Sequence, residues 1–442
     1  MRAHPVPRAV LGGLAVALLG VSGCANTAGN SAPASVIAEP AGQMAANAPA
    51  NVPEPQPRPD DELKFEAFLA VFRDEAIRQG VRPETYDRAI MGLTLDRRVG
   101  EQNAAQPEFV RPVWDYLAGA VSDLRVSQGR EKLAEQAQLF DRLEPTYGVP
   151  RQILTAVWGL ESGFGRNIGR FNLFQSLATL AYDGSRQAYG RREFIAALKI
   201  ADAEKLDPRT MEGSWAGAFG QTQFVPSTFL EHAVDGDGDG NRDLWNNPAD
   251  ALASAASYLK ESGWRAGESW GEEVRLPEGF AFDQADETVK KPEREWAMLG
   301  VRTATGQDLR DDETPVSIFL PSGARGPAFL IRNNFNAILR YNNATSYALA
   351  IGLLADRMRG RDGVIGSWPR DERQLNREER MTLQTGLNAL GYDVGMPDGV
   401  IGRQTRSALR AYQKMRGLPA DGFATVSVLT QITAERPAPP AP

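Results

Sequence analysis

The sequence predicts a mainly α protein: a large helical body, a small β element inserted before the last helix of that body, and a separate three-helix unit at the C-terminus. Three observations carry this expectation. Apolar residues recur at helical spacing from Leu63 (Phe65, Phe68, Leu69, Phe72, Ala76 and Ile77), and segments of the same style continue to about residue 264. Between about 272 and 330, the runs Val316–Leu320 and Ala328–Ile331 read as strands. A Gly/Pro/Arg-rich stretch at 359–372 then sets off about sixty residues in which a turn-plus-helix pattern occurs twice. With 442 residues, 42% of them apolar, the chain can fill one large core and at least one smaller one.

The first element is a leader, residues 1–23. Arg2 and Arg8 precede a thirteen-residue apolar run, Ala9–Val21, short of the roughly 20 residues a bilayer-spanning helix needs. It reads as a signal peptide. Val21-Ser22-Gly23-Cys24 resembles a bacterial lipobox, which makes Cys24 the expected acylated first residue of a mature lipoprotein. Ala25 after it favours the outer membrane, so the expected location is the periplasmic face of that membrane; an ordinary secretory signal cut nearby is the alternative. Residues 24–60 follow as a disordered tether, since positions 25–60 hold ten Ala and seven Pro and no aromatic residue, too little apolar surface to offset chain entropy.

In the helical body, 61–358, Gly148-Val149-Pro150 ends one helix and starts the next, with Pro150 suited to a first turn. Ile153, Leu154, Val157, Trp158 and Leu160 make that next helix apolar nearly all round, so it should be buried. The last helix of the body covers about Tyr347–Met358. In the C-terminal unit, 373–435, Leu383, Leu387 and Leu390 mark a helix ended by Gly391, and Asp398-Gly399-Val400 turns into a helix over Thr405–Met415. An echo follows 23 residues on, Asp421-Gly422-Phe423 and then Ser427–Ile432. Residues 436–442 are a Pro/Ala tail.

Composition removes much chemistry. The net charge of −7 gives no basic footprint for nucleic acid. One cysteine, Cys24, and two histidines, His4 and His232, rule out an internal disulfide and leave too few ligands for a zinc hydrolase or partners for a thiol one. A serine triad would depend on His232, and no G-x-S-x-G motif accompanies it. Carboxylate chemistry remains. Glu161 stands near the end of the apolar helix, with Trp158 and Leu160 before it and Phe164 after it, where Gly163 and Gly165 leave space. Desolvation there raises a carboxyl pKa toward the range of a general acid. A buried Glu held by Arg166 or Arg170 is the bland alternative.

Glu161-Ser162-Gly163-Phe164-Gly165, Gly213-Ser214-Trp215-Ala216-Gly217-Ala218-Phe219-Gly220-Gln221-Thr222-Gln223-Phe224-Val225-Pro226-Ser227 and Tyr258-Leu259-Lys260-Glu261-Ser262-Gly263-Trp264 resemble, in order and spacing, the membrane-bound lytic murein transglycosylase B family, over about 62–358. The resemblance implies a lysozyme-like helical core with an added α domain and a small β element. It implies Glu161 as the single catalytic acid and base, with Ser214, Gln223, Tyr258, Tyr341, Asn342 and Tyr347, and also Arg186 and Tyr189, along the glycan groove. The implied reaction cleaves the MurNAc-β-1,4-GlcNAc bond of peptidoglycan without water and leaves 1,6-anhydro-MurNAc ends, with no catalytic cofactor. A muramidase using a second carboxylate such as Asp183 or Glu193 is the nearest rival. A non-catalytic lipoprotein that tethers the envelope is the rival from another class.

Asp235-Gly236-Asp237-Gly238-Asp239-Gly240-Asn241-Arg242-Asp243 matches the start of an EF-hand loop, with Gly240 at the sharp sixth position. The expected ligands of a structural Ca²⁺ are Asp235, Asp237, Asp239, the carbonyl of Asn241 and Asp243. Asn246 stands where the bidentate Glu belongs; the resemblance to the transglycosylase family, whose loop takes a carboxylate from beyond it, implies Asp250 as the substitute, with a spacing one residue longer here. In the C-terminal unit, Leu387-Asn388-Ala389-Leu390-Gly391-Tyr392, Asp398-Gly399-Val400-Ile401-Gly402 and Gly417-Leu418-Pro419-Ala420-Asp421-Gly422 resemble the type-one peptidoglycan-binding domain over about 375–434. The expected partners are therefore glycan strands, which the module would concentrate around the enzyme, and a membrane reached through Cys24.

Overall fold

The computed structural model describes residues 59–104, 111–184 and 186–436; the expected signal peptide, Cys24, nearly all of the tether and the tail lie outside them. The first helix runs Pro59–Arg78, four residues earlier than the apolar pattern alone suggests. Proline opens it, and Asp60, Asp61 and Glu62 fill its first turn, where carboxylates meet the positive end of the helix dipole.

Two apolar cores hold the helical body. One gathers Phe65, Phe72, Phe174 and Phe194 from the helices Pro59–Arg78, Leu173–Tyr182 and Gln187–Ala203, with the Phe72 and Phe194 rings stacked at 5.6 Å. The other surrounds the helices Arg151–Ser162 and Thr345–Met358. Tyr341 packs against both, which marks their seam. Every residue from Ile153 to Ser162 is buried, as the all-round apolar pattern predicts. Pro150 is the N-cap of that helix and not a first-turn residue, because Gly148, at φ 71°, already closes the preceding helix. Among the described residues no helix is long and apolar enough to cross a membrane.

The β element is larger than the two strands expected. It is an antiparallel five-stranded sheet in the order Lys291–Pro292, Pro315–Phe319, Ala328–Ile331, Gly271–Arg275, Arg302–Thr303. The three extra strands are short and charged at Glu272, Glu273, Arg275, Lys291 and Arg302, so they carry no apolar run to signal them. Behind the Ala328–Ile331 strand, the fully buried Arg332 bridges the fully buried Glu293 at 2.8 Å and Glu272 at 2.9 Å.

The stretch expected as a linker is packed on the body. Glu273 accepts the backbone N–H groups of Ile365 (2.7 Å) and Gly366 (2.6 Å), and Trp368 lies 6.3 Å from Trp114. Beyond it stand three helices, Arg377–Ala389, Arg403–Met415 and Val426–Glu435, around Leu383, Leu387, Leu409, Tyr412 and Ile432. Their pseudo-repeat is exact in its hydrogen bonding. Gln384 donates to Asp398 Oδ1 (3.0 Å) and accepts from Gly399 N–H (2.7 Å); Gln413 donates to Asp421 Oδ1 (2.7 Å) and accepts from Gly422 N–H (2.8 Å). The second turn also meets the body: Asp421 Oδ2 accepts Ala324 N–H at 2.8 Å, and Arg410 pairs with Asp286 at 2.6 Å.

Candidate active site

Glu161 occupies the last turn of the Arg151–Ser162 helix, 5% exposed. Gly163 terminates the helix at φ 59°, a left-handed conformation that glycine adopts without the Cβ penalty. The chain then folds back under the helix, and the Phe164 ring stands edge-on to Trp158 at 5.8 Å. Burial pushes the Glu161 carboxyl up from 4.5 to about 7, against the opposing pull of a hydrogen bond from Tyr347. No charged side chain contributes to that shift. The alternative of a carboxylate locked to a guanidinium is not what the fold builds: Arg166 donates to Gln128 at 2.8 Å.

Tyr347, buried in the Thr345–Met358 helix, donates its hydroxyl to Glu161 Oε1 at 2.5 Å. The Tyr341 hydroxyl donates to the Thr222 carbonyl at 2.7 Å, and that of Tyr258 to the Arg340 carbonyl at 2.8 Å. Rings of Tyr258 and Tyr341 lie 5.2 Å apart, each edge-on to Phe224. Asn342 follows directly as the buried C-cap of the Asn333–Tyr341 helix. Tyr341 and Tyr347 both feel the Glu161 charge, so these two tyrosines and the acid form one group.

Gln223 and Ser214 belong to the loop facing the acid helix. Gln223 sits at φ 49°, a conformation few non-glycine residues adopt, and its amide donates to the carbonyls of Gly220 (2.9 Å) and Ile168 (3.1 Å). Ser214 Oγ accepts Ala218 N–H at 2.9 Å. The backbone passes so close here that a β-carbon on Gly169 would lie 2.1 Å from the Gly213 carbonyl. Arg186 and Tyr189 stack on each other, guanidinium to ring at 4.7 Å, and Arg186 also faces Trp215 at 5.7 Å. The Tyr189 hydroxyl is committed to the Ala216 carbonyl at 2.8 Å, so it supports the loop from behind.

The rival carboxylates are engaged elsewhere. Glu193 is fully buried against Arg192 (2.8 Å) and the Ser227 N–H (2.8 Å) and hydroxyl (3.0 Å). Asp183 caps the Leu173–Tyr182 helix and accepts the Gly184 N–H at 2.7 Å. Sequence reasoning missed Gln221. Its side chain accepts the Trp158 indole N–H (3.0 Å) and donates to the Trp245 carbonyl (3.2 Å), while its carbonyl accepts the Ser162 hydroxyl (2.6 Å), so it ties the acid helix to the loop. Its place two residues before Gln223 was the available signal. The role of the Thr222 carbonyl had none, because every residue has one.

In the Asp loop, oxygens of Asp235, Asp237 and Asp250 come within 4.8 Å of one another. Asp239 and Asp243 turn to the loop's own amides, accepting Asn241 N–H (2.8 Å) and Trp245 N–H (2.9 Å). Of the expected side-chain ligands, three are therefore gathered. Asp250 is fully buried at the start of the Pro248–Glu261 helix; burial first, then the charges of Asp237 and Asp235, raise its pKa. Three carboxylates so close, with no cation paired to any of them among the described residues, are a hard-oxygen donor set that suits Ca²⁺.

Comparison with known proteins gives the same picture. The transglycosylase SLT domain family matches residues 64–356, and a peptidoglycan binding domain family matches 376–432. SltB3 of Pseudomonas aeruginosa, crystallised with NAG-anhNAM-pentapeptide, is 47% identical, with a TM-score of 0.82 over 84% of this chain and 99% of that one. Slt35 of Escherichia coli, crystallised with calcium, is 27% identical, with a TM-score of 0.58 over 66% of this chain and 92% of that one. Membrane-bound lytic murein transglycosylase B of E. coli K12 is 34% identical over 218 residues, 48% of this chain and 57% of that protein's length. The chain belongs to the membrane-bound lytic murein transglycosylase B family, its transglycosylase domain followed by a peptidoglycan-binding domain.

Proposed function

We propose that this enzyme cleaves the MurNAc-β-1,4-GlcNAc bond of peptidoglycan without water, with Glu161 acting first as acid and then as base. The observation that carries this reading is a desolvated carboxyl near pKa 7 with one tyrosine partner and no second charged group acting on it. Because Tyr347 donates to Oε1, the proton of the neutral acid belongs on Oε2, which is left to face the bridging oxygen. Once the proton has gone, the Tyr347 hydrogen bond stabilises the carboxylate until it takes the proton of the muramyl 6-hydroxyl, closing the anhydro ring. Developing oxocarbenium charge is met by the substrate's own N-acetyl group. A hydrolase would need a second carboxylate in the site, and the engagement of Asp183 and Glu193 elsewhere argues against one. Ser214, Gln223, Tyr258, Tyr341 and Asn342 hold the sugars in this reading, with Arg186 and Tyr189 backing the loop that carries Ser214. Products decide the matter: a mass spectrum of fragments released from murein sacculi should show ends one water lighter than reducing sugars and resistant to borohydride. Reducible ends would establish the muramidase instead.

The proposed location is the periplasmic face of the outer membrane, with the chain anchored through acylated Cys24, and the peptidoglycan-binding domain at 373–435 holds it on its polymer. Asp235, Asp237 and Asp250 would hold Ca²⁺ as a structural ion, which supplies charge neutralisation and no step of the reaction. Adding CaCl₂ to chelator-treated protein should raise Tm by about 5 °C, on the basis that ligand at 100 times Kd stabilises by about 2.7 kcal/mol. Asp237→Asn should reduce that rise, and an unchanged Tm in the parent would mean that the loop folds without an ion.

A further inference from the structure

We infer that Arg125 and Arg166 form a carboxylate-recognising wall at the turn that leaves the acid helix, which takes a free carboxylate of the stem peptide carried by the glycan. The inference rests on the glycan reading above and extends it to a part of the substrate that none of the groove residues explains.

Arg125 lies in the first turn of the Asp123–Glu135 helix, half-buried, and its Nη1 donates to the Gly119 carbonyl at 2.5 Å. Gln128 follows three residues later on the same helix face, and its Oε1 accepts from Arg166 Nη2 at 2.8 Å. Arg166 is thereby held against the helix that carries Arg125, one turn along from it. Arg166 reaches back along the turn that follows Glu161: a β-carbon on Gly163 would lie 3.6 Å from its Nη2. Among the described residues neither arginine has a carboxylate within ion-pair distance, although many arginines of this chain do. Burial, and then the charge of Arg166, lower the pKa of Arg125. Two cations that repel each other, each tied to a neutral acceptor, are an arrangement an anion would relieve.

The wall borders the core that holds the catalytic group: Phe164, in the same turn as Arg166, and Tyr347 belong to one buried cluster, against which Tyr116 packs. The Tyr116 phenol acts electrostatically on Arg125 on one side and on Tyr347 on the other, and Tyr347 holds Glu161. A planar guanidinium takes a carboxylate through two parallel N–H···O bonds, a geometry Lys cannot copy. Stem peptides end in carboxylates, whereas the glycan backbone itself offers mainly hydroxyls and amides for the tyrosines and Gln223.

The test uses the full chain carrying Glu161→Gln, so that ligand is not consumed. Its affinity is measured for GlcNAc-MurNAc-pentapeptide and for the same compound with every carboxyl converted to an amide. The acid form should bind at least 10-fold more tightly, with an advantage that shrinks as salt rises. Adding Arg125→Gln and Arg166→Gln together should bring the two affinities to within about two-fold; Arg166→Gln alone, at an exposed position, should remove part of the difference. Equal affinities before these changes, or a difference that survives them in a protein of unaltered Tm, would overturn the inference while leaving the glycan reading intact. Failure of both compounds to bind would overturn both.

Discussion

Glu161→Gln lowers turnover of murein by about 10²–10⁴-fold, the contribution expected of a positioned acid and base, while the chain stays folded. Glutamine keeps the volume and an oxygen to accept the Tyr347 hydroxyl, so the loss isolates the proton. The pH dependence has a definite sign. The acid form predominates below about pH 7, where the buried carboxyl titrates, so activity should fall as pH rises through that value. Stability follows the same group. Its folded pKa of about 7 lies above the ordinary 4.5, so the stability it contributes is fully present below about 4.5 and is lost as pH rises through about 7, a change of about 3 kcal/mol. The glutamine variant lacks that loss, and its urea stability should decline less than the parent's between pH 5 and 8 by about that amount. A parallel decline in both proteins would mean that the carboxyl is not desolvated, and full activity of the variant would locate the acid elsewhere.

Arg332→Met should destabilise the β element by about 3–5 kcal/mol, the usual effect of removing one partner of a buried ion pair. Arg332 and Glu293 are both fully buried and 2.8 Å apart. After the change, Glu293 keeps only Arg310, at 3.3 Å and mostly in solvent. Burying an unpaired carboxylate is the dominant cost, so adding Glu293→Gln to Arg332→Met should restore at least half of the lost stability in urea denaturation. Because Arg332 is the N-cap of the Asn333–Tyr341 helix, the single variant should also loosen Tyr341 and raise KM. A loss below about 1 kcal/mol would show that water reaches the pair.

The helical body and the buried carboxyl of Glu161 were legible because burial writes itself into sequence as pattern. Ile153 to Leu160 are apolar on every side, and one carboxylate among them stands out. The gathering of the tyrosines around the buried carboxyl was legible only through the resemblance, since Tyr258, Tyr341 and Tyr347 lie on three different helix segments and no spacing rule joins them. The partners of their hydroxyls, the carbonyls of Arg340 and Thr222 and the acid itself, depend on tertiary approach. The Asp loop was half legible. Its turn chemistry follows from Gly238 and Gly240, but which carboxylates converge depends on the folded path: Asp250 reaches the loop from the following helix and accepts the Gly236 and Asp243 N–H groups, and it gathers with Asp235 and Asp237. The short strands at Lys291–Pro292 and Arg302–Thr303 were invisible because two residues cannot establish an alternation.

The paired Gln-Asp-Gly turns of the C-terminal module carry a consequence for how this chain can vary. Asp398 answers to its own repeat, whereas Asp421 answers to its repeat and, through its second oxygen, to Ala324 of a neighbouring body. Drift at the two positions is thus unequal: a lineage could alter the first turn at the cost of that turn alone, but a change at the second also strands a backbone N–H about a hundred residues upstream, which no side-chain replacement there can make good.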